Sequence, residues 1–572
     1  MTVEEEIWRP PTEPWWKSFS LADRLNSIVT SKWGLTFLFV GIALLVYYFT
    51  AYHYEGPSVP LKDAFWEGPS QSPHNHPVRL ADSLLHGRLD VANGKDLTGF
   101  LDFACHPFPC AEGSKYYPLE PPGTALVILP GVALLGLEVT LDLPPSIRYE
   151  SNDGLAINQT LVSVVIGAIT AGVVYQVSRW LTNNLWHQLW LTAMFVFGTV
   201  YWWNAVYVGV WYFNHAVAAL FLFAAVYETL VAKRPFTAGF FLGAAYITRL
   251  PTVWTFPFFV IMFTDWTKLR ETFLALREGI RSRWWPELRA SAGRVLRIAR
   301  PVLKFGAGLA IFVVGFAVLN YVRFDTVSPQ ATYDQWHAKA SLSAPGGMLE
   351  HGLVSVKHIE RHAPIFFEKP LYMFPNSDDL RFWESDRPYI WPSWNGAAFW
   401  ATTPAFLLVF LAAINKRWVR LAVGVALALT ISVLFVIPNL GRGPESQPWF
   451  DWAQWGLPLF ARILPFFLLT GLSVAFAIKN QNKLVLACWS AIIPVIVVHH
   501  LAASTGWPQF GYRYLLDYAP FVFLLTWEGM GRRLTWYGLA LISLGIVINA
   551  CGVLWTNKFD TSGVGGFRWT SW

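Results

Sequence analysis

The chain has 572 residues, of which 54% are hydrophobic and only 14% are charged, and its formal net charge is +6. Soluble domains carry about 25% charged residues, so this composition excludes a soluble enzyme, a disordered scaffold and a coiled coil. The small positive charge is dispersed along the chain and gives no indication of nucleic-acid binding. The sequence therefore predicts an all-α polytopic membrane protein.

The amino-terminal segment, residues 1–32, is polar and lacks the apolar core of a signal peptide. The first apolar run, 34–52, is about long enough to cross a bilayer. Lys17, Arg24 and Lys32 precede this run, and basic residues flanking a span favour the cytoplasmic side. We therefore expect residues 1–32 to be a cytoplasmic segment.

The apolar runs set the predicted topology of the domain at 33–555. The run at 124–137 is short for a span and suits an interfacial or re-entrant helix. If it does not cross, the later basic clusters all fall on the cytoplasmic side, as the positive-inside rule prefers. This predicts about 13 spans and an extracytoplasmic tail at 556–572. The runs after the first span are 155–178, 185–206, 211–231, 236–248, 251–264, 304–322, 397–414, 421–437, 458–478, 483–502, 513–530 and 535–555.

Large polar segments are expected on the outer face. The first covers 53–122, within an outer region of 53–154 that includes juxtamembrane helices, and the others are 323–395 and 438–457. On the cytoplasmic side, only 265–304 is long. It is rich in arginine interleaved with Leu and Trp, which predicts a pair of amphipathic helices on anionic membrane lipid.

The segment 236–264 is predicted to form a hairpin of two short helices, because basic residues stand at both ends. Its apex contains Arg249. A charge near the membrane is costly unless it faces water or an anion, so Arg249 is a functional candidate. The alternative is an interfacial arginine that pairs with lipid phosphate.

Cys105 and Cys110 flank a short loop in the first outer segment. A disulfide can persist there, since that compartment is oxidising. A zinc pair is the weaker alternative, because no second Cys/His pair has matching spacing.

Four short motifs in chain order resemble those of the GT-C glycosyltransferases, the polytopic membrane enzymes that include the protein mannosyltransferases and aminoarabinose transferases. The motifs are Arg79–Asp90 (RLADSLLHGRLD) with Tyr116–Gly123 (YYPLEPPG), Gly239–Arg249 (GFFLGAAYITR), Asn320–Phe324 (NYVRF) and Gly511–Tyr514 (GYRY) followed by Pro520. The resemblance covers most of residues 34–530. It implies a GT-C-like bundle of about 13 spans in a bacterial inner membrane.

These enzymes transfer a sugar from a polyprenyl-phosphate carrier to a glycan, lipid or protein acceptor on the outer face. The resemblance implies a general base in the first outer loop, normally Asp or Glu. Here Pro73 and His74 stand where the acidic pair is expected. We therefore assign the base to Asp63, with His74 or His76 as the alternative base or binding group. The chain has no Asp-x-Asp sequence, so we expect no metal or other cofactor.

The resemblance also implies cationic groups at the leaving phosphate. Arginine suits this role because its planar guanidinium group stays charged. Arg249 and Arg513 are the first candidates, and Arg323 and Arg79 come next. Asp517 lies four residues after Arg513 and would share its helical face, so a purely structural ion pair between them is the alternative.

Aromatic and amide side chains are predicted to contact the sugar or the lipid. Rings stack on pyranose faces, and Asn and His bond hydroxyl groups. An interfacial aromatic belt is the competing interpretation for most of the Trp residues. The contact candidates are Trp203, Asn204, Asn214, His215, Tyr117 and Glu120.

Two functions of other classes compete with the transferase. One is a catalytically silent subunit of a larger membrane complex, and the non-acidic Pro73-His74 position favours it. The other is a transporter of lipid-linked sugars. The scarcity of charged residues in the spans argues against ion-coupled transport.

Overall fold

The computed structural model describes the following residues: 33–51, 76–91, 103–139, 159–207, 209–282, 285–343, 351–373, 390–391, 396–437, 458–506 and 509–559. Helices dominate them. The α-helices are α1 Gly34–Thr50, α2 His76–Leu85, α3 Gly123–Val139, α4 Gln159–Leu181, α5 Leu185–Val196, α6 Tyr201–Val206, α7 Val210–Leu230, α8 Pro235–Tyr246, α9 Phe256–Phe263, α10 Trp266–Ser282, α11 Trp285–Phe324, α12 Ala331–Ser343, α13 Ile359–Ala363, α14 Phe399–Thr402, α15 Arg417–Leu429, α16 Leu459–Lys479, α17 Lys483–Leu501, α18 Ala519–Gly529 and α19 Trp536–Phe559.

Shorter elements connect these helices. Two antiparallel pairs of strands form, β1 with β2 and β3 with β4. Tight 3₁₀ turns and wider π turns occupy the remaining regular segments. The strands are β1 Phe103–His106, β2 Lys115–Pro118, β3 Tyr372–Met373 and β4 Ile390–Trp391; the 3₁₀ turns are Leu250–Thr255, Val356–His358, Pro404–Leu411 and Arg513–Tyr518; the π turns are Pro364–Glu368 and Thr430–Val436.

Within the described residues, seven helices are long and apolar enough to cross a membrane. Together with three shorter apolar helices, they make this an all-α membrane protein apart from its two small strand pairs. The seven are Leu161–Leu181, Val210–Leu230, Ala290–Phe324, Arg417–Val436, Leu459–Lys479, Lys483–Leu501 and Trp536–Leu554. The shorter three are Gly34–Thr50, Gly123–Leu134 and Leu250–Phe263.

The core is built around α4 and α7. Helix α4 packs against α1, α5 and α7, and α7 in turn packs against α8. Helix α8 lies along α11. Glycines permit this last contact, since a Cβ on Gly239 would lie 1.9 Å from the Phe305 carbonyl oxygen and one on Gly308 would lie 2.1 Å from the Phe236 carbonyl oxygen. Small residues let helix backbones approach closely in this way.

Several predicted spans are not continuous α-helices. The run at 185–206 is divided into α5 and α6, and that at 397–414 forms α14 and a 3₁₀ turn. The run at 513–530 likewise begins as a 3₁₀ turn before α18. Prolines begin the second part of the last two runs, where a missing N–H is tolerated.

The predicted pair of surface helices at 265–304 also differs from the structure. Helix α10 forms as expected, but its partner does not end near residue 304. Helix α11 instead continues through Pro301 as one element of 40 residues. The second basic helix and the following apolar run are therefore a single helix.

Candidate functional site

Asp517 lies at the centre of a buried polar cluster. Its side chain is fully buried. The Arg249 guanidinium donates to both carboxylate oxygens, with Nε 3.2 Å from Oδ1 and Nη2 2.9 Å from Oδ2. His215 Nδ1 lies 3.1 Å from Oδ1, and His499 Nε2 lies 2.9 Å from Oδ2. One carboxylate thus joins α7, α17 and the segment after α8.

The local backbone explains how Arg249 reaches this position. Helix α8 ends at Tyr246, and Arg249 is extended immediately before the 3₁₀ turn that begins at Leu250. Gly123 N–H donates to the Ile247 carbonyl oxygen at 2.8 Å, which fixes the end of the first outer segment beside this turn. Arg249 therefore sits at the apex of the predicted hairpin but pairs with a carboxylate of the protein.

Arg513 has a different environment. It is 5% exposed, and its Nε and Nη1 have no hydrogen-bond partner among the described residues. Its guanidinium lies 4.7 Å from the Tyr212 ring centre and 5.9 Å from that of Tyr514. Buried charged groups are normally paired, so unmatched N–H groups here suit an anionic ligand.

The alternative role of Arg513, an ion pair with Asp517, does not form in the structure. Asp517 contacts Arg249, His215 and His499 instead. The reason is local geometry. Residues 513–518 form a 3₁₀ turn, in which positions three apart share a face and positions four apart do not.

Aromatic side chains form a cluster beside Arg513. Trp203 and Tyr207 stack at 4.6 Å with an interplanar angle of 12°, and both meet Tyr212 edge-on. Asn204 and Asn214 are buried, and the Oδ1 atom of each has no hydrogen-bond partner within the described part of the chain. The contact candidates from α6 and α7, His215 among them, are thus all buried, and Trp203 is linked to Arg513 through Tyr212.

Histidines of two other segments also reach this cluster, and sequence reasoning missed them. His362 donates from Nε2 to the Ala502 carbonyl oxygen at 2.9 Å and accepts from the Tyr512 hydroxyl at Nδ1, also at 2.9 Å. Burial lowers the pKa of His362 to about 3, so the ring is neutral at pH 7. The paired His499-His500 at the end of an apolar run was the available signal.

The segment between α1 and α3 contributes a second buried pair. His76 begins α2, and its Nδ1 lies 2.9 Å from Glu120 Oε2. Both side chains are buried, and Glu120 Oε1 has no hydrogen-bond partner in the region described. Glu120 comes three residues before Gly123, whose N–H bonds to the Arg249 segment. A carboxylate with one free oxygen can accept a proton.

The other predicted residues lie apart from Asp517. Arg323 donates to the Leu89 carbonyl oxygen at 3.2 Å and stands 5.3 Å from the Tyr117 ring centre. Arg79 is half-buried on α2. A disulfide joins Cys105 in β1 to Cys110 in the loop between β1 and β2. Asp63 and His74 fall outside the described residues.

An apolar cavity adjoins the 3₁₀ turn that carries Arg513 and Asp517. Leu515 and Tyr518 of this turn line it. Thr470 on α16 and Ile493 and Val497 on α17 line its other side. Ile493 and Val497 are 43% and 49% exposed, so the cavity reaches the apolar outer surface of the bundle. A hydrocarbon chain could enter there from lipid.

In the described ranges, no group of three or more His, Cys, Asp or Glu side chains could hold a metal ion. No family model, curated protein or solved structure matches the chain significantly.

Proposed function

We propose that this protein is a GT-C-type membrane glycosyltransferase that transfers a sugar from a polyprenyl-phosphate donor to an acceptor. The observation that carries the proposal is Arg513, a buried cation with unmatched N–H groups, on the same 3₁₀ turn as Leu515 and Tyr518, which line an apolar cavity. A polyprenyl phosphate has the same two parts, an anionic head on a hydrocarbon chain. A soluble anion has no hydrocarbon chain and would not need the cavity.

In this proposal Arg513 binds the donor phosphate, and Arg249 is held beside it by Asp517. A positioned guanidinium stabilises the negative charge that develops on the leaving phosphate. The two arginines therefore differ in role. Arg513 supplies free N–H donors, whereas the charge of Arg249 is already balanced by a carboxylate.

The proposed reaction inverts the anomeric carbon. A base takes the proton of the acceptor hydroxyl, the acceptor oxygen bonds to the anomeric carbon, and the bond from that carbon to the phosphate oxygen breaks. Asp63 and His74 remain candidates for the base. Within the described residues Glu120 is the better one, because His76 holds one of its oxygens and leaves the other free.

Sugar recognition is assigned to the cluster around Tyr212. The free Oδ1 atoms of Asn204 and Asn214 would accept hydrogen bonds from sugar hydroxyl groups, since buried polar atoms need partners. The Trp203 ring packs edge-on against Tyr212 in this cluster. We further propose about 13 spans, a cytoplasmic amino terminus and a site on the outer face of a bacterial inner membrane.

The test is turnover by the purified full chain in nanodiscs, using labelled polyprenyl-phosphate sugars with a membrane extract as acceptor. The proposal expects release of polyprenyl phosphate and transfer of label, both lost in Arg513→Gln and kept in the exposed control Arg417→Gln. If no donor is turned over and the protein co-purifies with a larger assembly, it is a silent subunit. If sealed vesicles accumulate intact donor without forming a glycosidic bond, it is a transporter.

A further inference from the structure

The end of the bundle near Phe263 has a recognisable boundary. Helix α9 ends there, and the Lys483 ammonium donates to the carbonyl oxygens of Met262 and Thr264 at 3.0 and 2.9 Å. The Phe305 ring of α11 packs against Phe259 and Phe263, with centroids 5.1 and 6.0 Å apart. The apolar part of α11 therefore begins at this level.

The part of α11 before Phe305 extends well beyond this boundary. An α-helix of 40 residues is about 60 Å long, twice the roughly 30 Å of hydrocarbon in a bilayer. Residues 285–304 account for about 30 Å of that length. Pro301 bends a helix but does not turn it through a right angle. The basic hairpin, defined as α10 together with 285–304, thus projects from the bundle.

One face of α10 packs against α11 within the basic hairpin. Thr272 of α10 and Ser291 of α11 are 4% and 0% exposed. The opposite face is open. Trp266, Phe273 and Ile280 follow one another at intervals of seven residues and are 51%, 55% and 61% exposed. Positions seven apart lie on one face of a helix, so these side chains form a continuous apolar stripe.

Arginines border this stripe. Arg270, Arg277 and Arg281 are exposed and fall on the same side of α10. Across the basic hairpin, 266–282 and 285–304, the sequence contains nine basic and three acidic residues. A heptad-spaced apolar stripe with charges at its edges is the pattern by which helices select a partner helix. The matching surface would be apolar and acidic.

We infer that the basic hairpin is a docking site for an acidic amphipathic helix of another protein, which packs along α10 as a third helix. Membrane lipid fits less well. The stripe is about 21 Å long, and the axis of α10 points away from the bundle. Interfacial helices bury their apolar face only about 5–10 Å into the headgroup region, so most of the stripe would lie beyond the membrane. Only Trp266 lies near the boundary.

Photo-crosslinking in membranes of the native host tests this inference on the full chain. Benzoylphenylalanine replaces Phe273 in the stripe or, as a matched control, Glu271 on another exposed face of the same helix. We expect Phe273 to link to a protein and the linked peptide, once sequenced, to be an acidic helix. Combined Arg270→Glu, Arg277→Glu and Arg281→Glu substitutions should reduce the yield at least tenfold.

Several outcomes would overturn the inference. Linkage to lipid alone would mean that the stripe lies on the membrane, and linkage to a second copy of this chain would make it a self-association surface. No adduct, equal adducts from both positions, or a yield unaffected by charge reversal would also reject the acidic partner. An unchanged melting temperature of the purified charge-reversal variant shows that the loss does not come from unfolding.

Discussion

At the scale of single residues, the carboxylate of Asp517 organises the site. It is fully buried and contacts one arginine and two histidines from different parts of the chain. A buried charge is tolerated only when it is paired. Asp517 is therefore a positioning residue in our account, which keeps Arg249 in place beside Arg513.

Asp517→Asn should destabilise the protein, because it leaves the Arg249 charge without its carboxylate. Breaking a buried pair costs about 3–5 kcal/mol, and the partial exposure of Arg249 places our expectation near the lower value. Unfolding in detergent measures the change. Asp517→Asn combined with Arg249→Gln should cost less than the two single changes added together. Strict additivity would show that the pair is not coupled.

The neutral His362 ring predicts a pH dependence. Its folded-state pKa is about 3, below the usual value of about 6.5, so the unfolded chain binds the proton more readily. Stability from this residue is complete above pH 6.5 and falls as the pH drops toward 3. Between pH 6.5 and pH 5 the loss is about 2 kcal/mol. The His362→Asn variant should lose correspondingly less stability over this pH range. A pH profile of stability identical to that of the unaltered protein would contradict the assignment of a neutral His362 ring.

The amino-acid sequence identified some site residues and not others. A charge beside an apolar run is conspicuous, which is why topology and charge were enough to select Arg249, whereas Arg513 was selected through the family resemblance. The pairing of Arg249 with Asp517 joins residues 268 positions apart. No local pattern encodes such a contact. His362 was missed for the same reason, since it is buried only through packing against distant segments.

At the scale of elements, close contact between α8 and α11 depends on glycine. Gly308→Ala would place a methyl group against the Phe236 backbone and push the helices apart. Overpacking of this kind costs about 1–3 kcal/mol. Gly306→Ala is the matched control on the same helix, because its Cβ meets nothing within 4 Å. It should be neutral or slightly stabilising, and equal melting temperatures for the two variants would refute the packing argument.

Periodicity located the helices well but not their internal breaks. Apolar runs correctly predicted α4, α7, α16, α17 and α19 to within a few residues. The 3₁₀ turn at 513–518 was predicted as α-helix because apolar content does not distinguish the two. The predicted surface helix ended near residue 304, where the composition changes from basic to apolar, but α11 continues to Phe324. Such a change in composition marks a change of solvent and not the end of a helix.

At the scale of the whole molecule, the turn Arg513–Tyr518 carries two charged residues of the polar cluster and also two residues, Leu515 and Tyr518, that line the apolar cavity. Ile493→Trp should obstruct the opening, because its side chain is both exposed and cavity-lining. We expect affinity for polyprenyl phosphate to fall at least tenfold and affinity for inorganic phosphate to stay unchanged. The control Val547→Trp lies on the apolar exterior of α19. Equal effects from both variants would exclude the cavity as the lipid site.

The most direct measurement is calorimetric binding of a short polyprenyl monophosphate to the purified protein in nanodiscs. Our account predicts saturable binding that weakens at least tenfold in Arg513→Gln, since a hydrogen bond to a charged group contributes about 1.5–3 kcal/mol. Arg417→Gln should bind like the unaltered protein. Unchanged affinity in a correctly folded Arg513→Gln variant, or no binding to the unaltered protein, would contradict it.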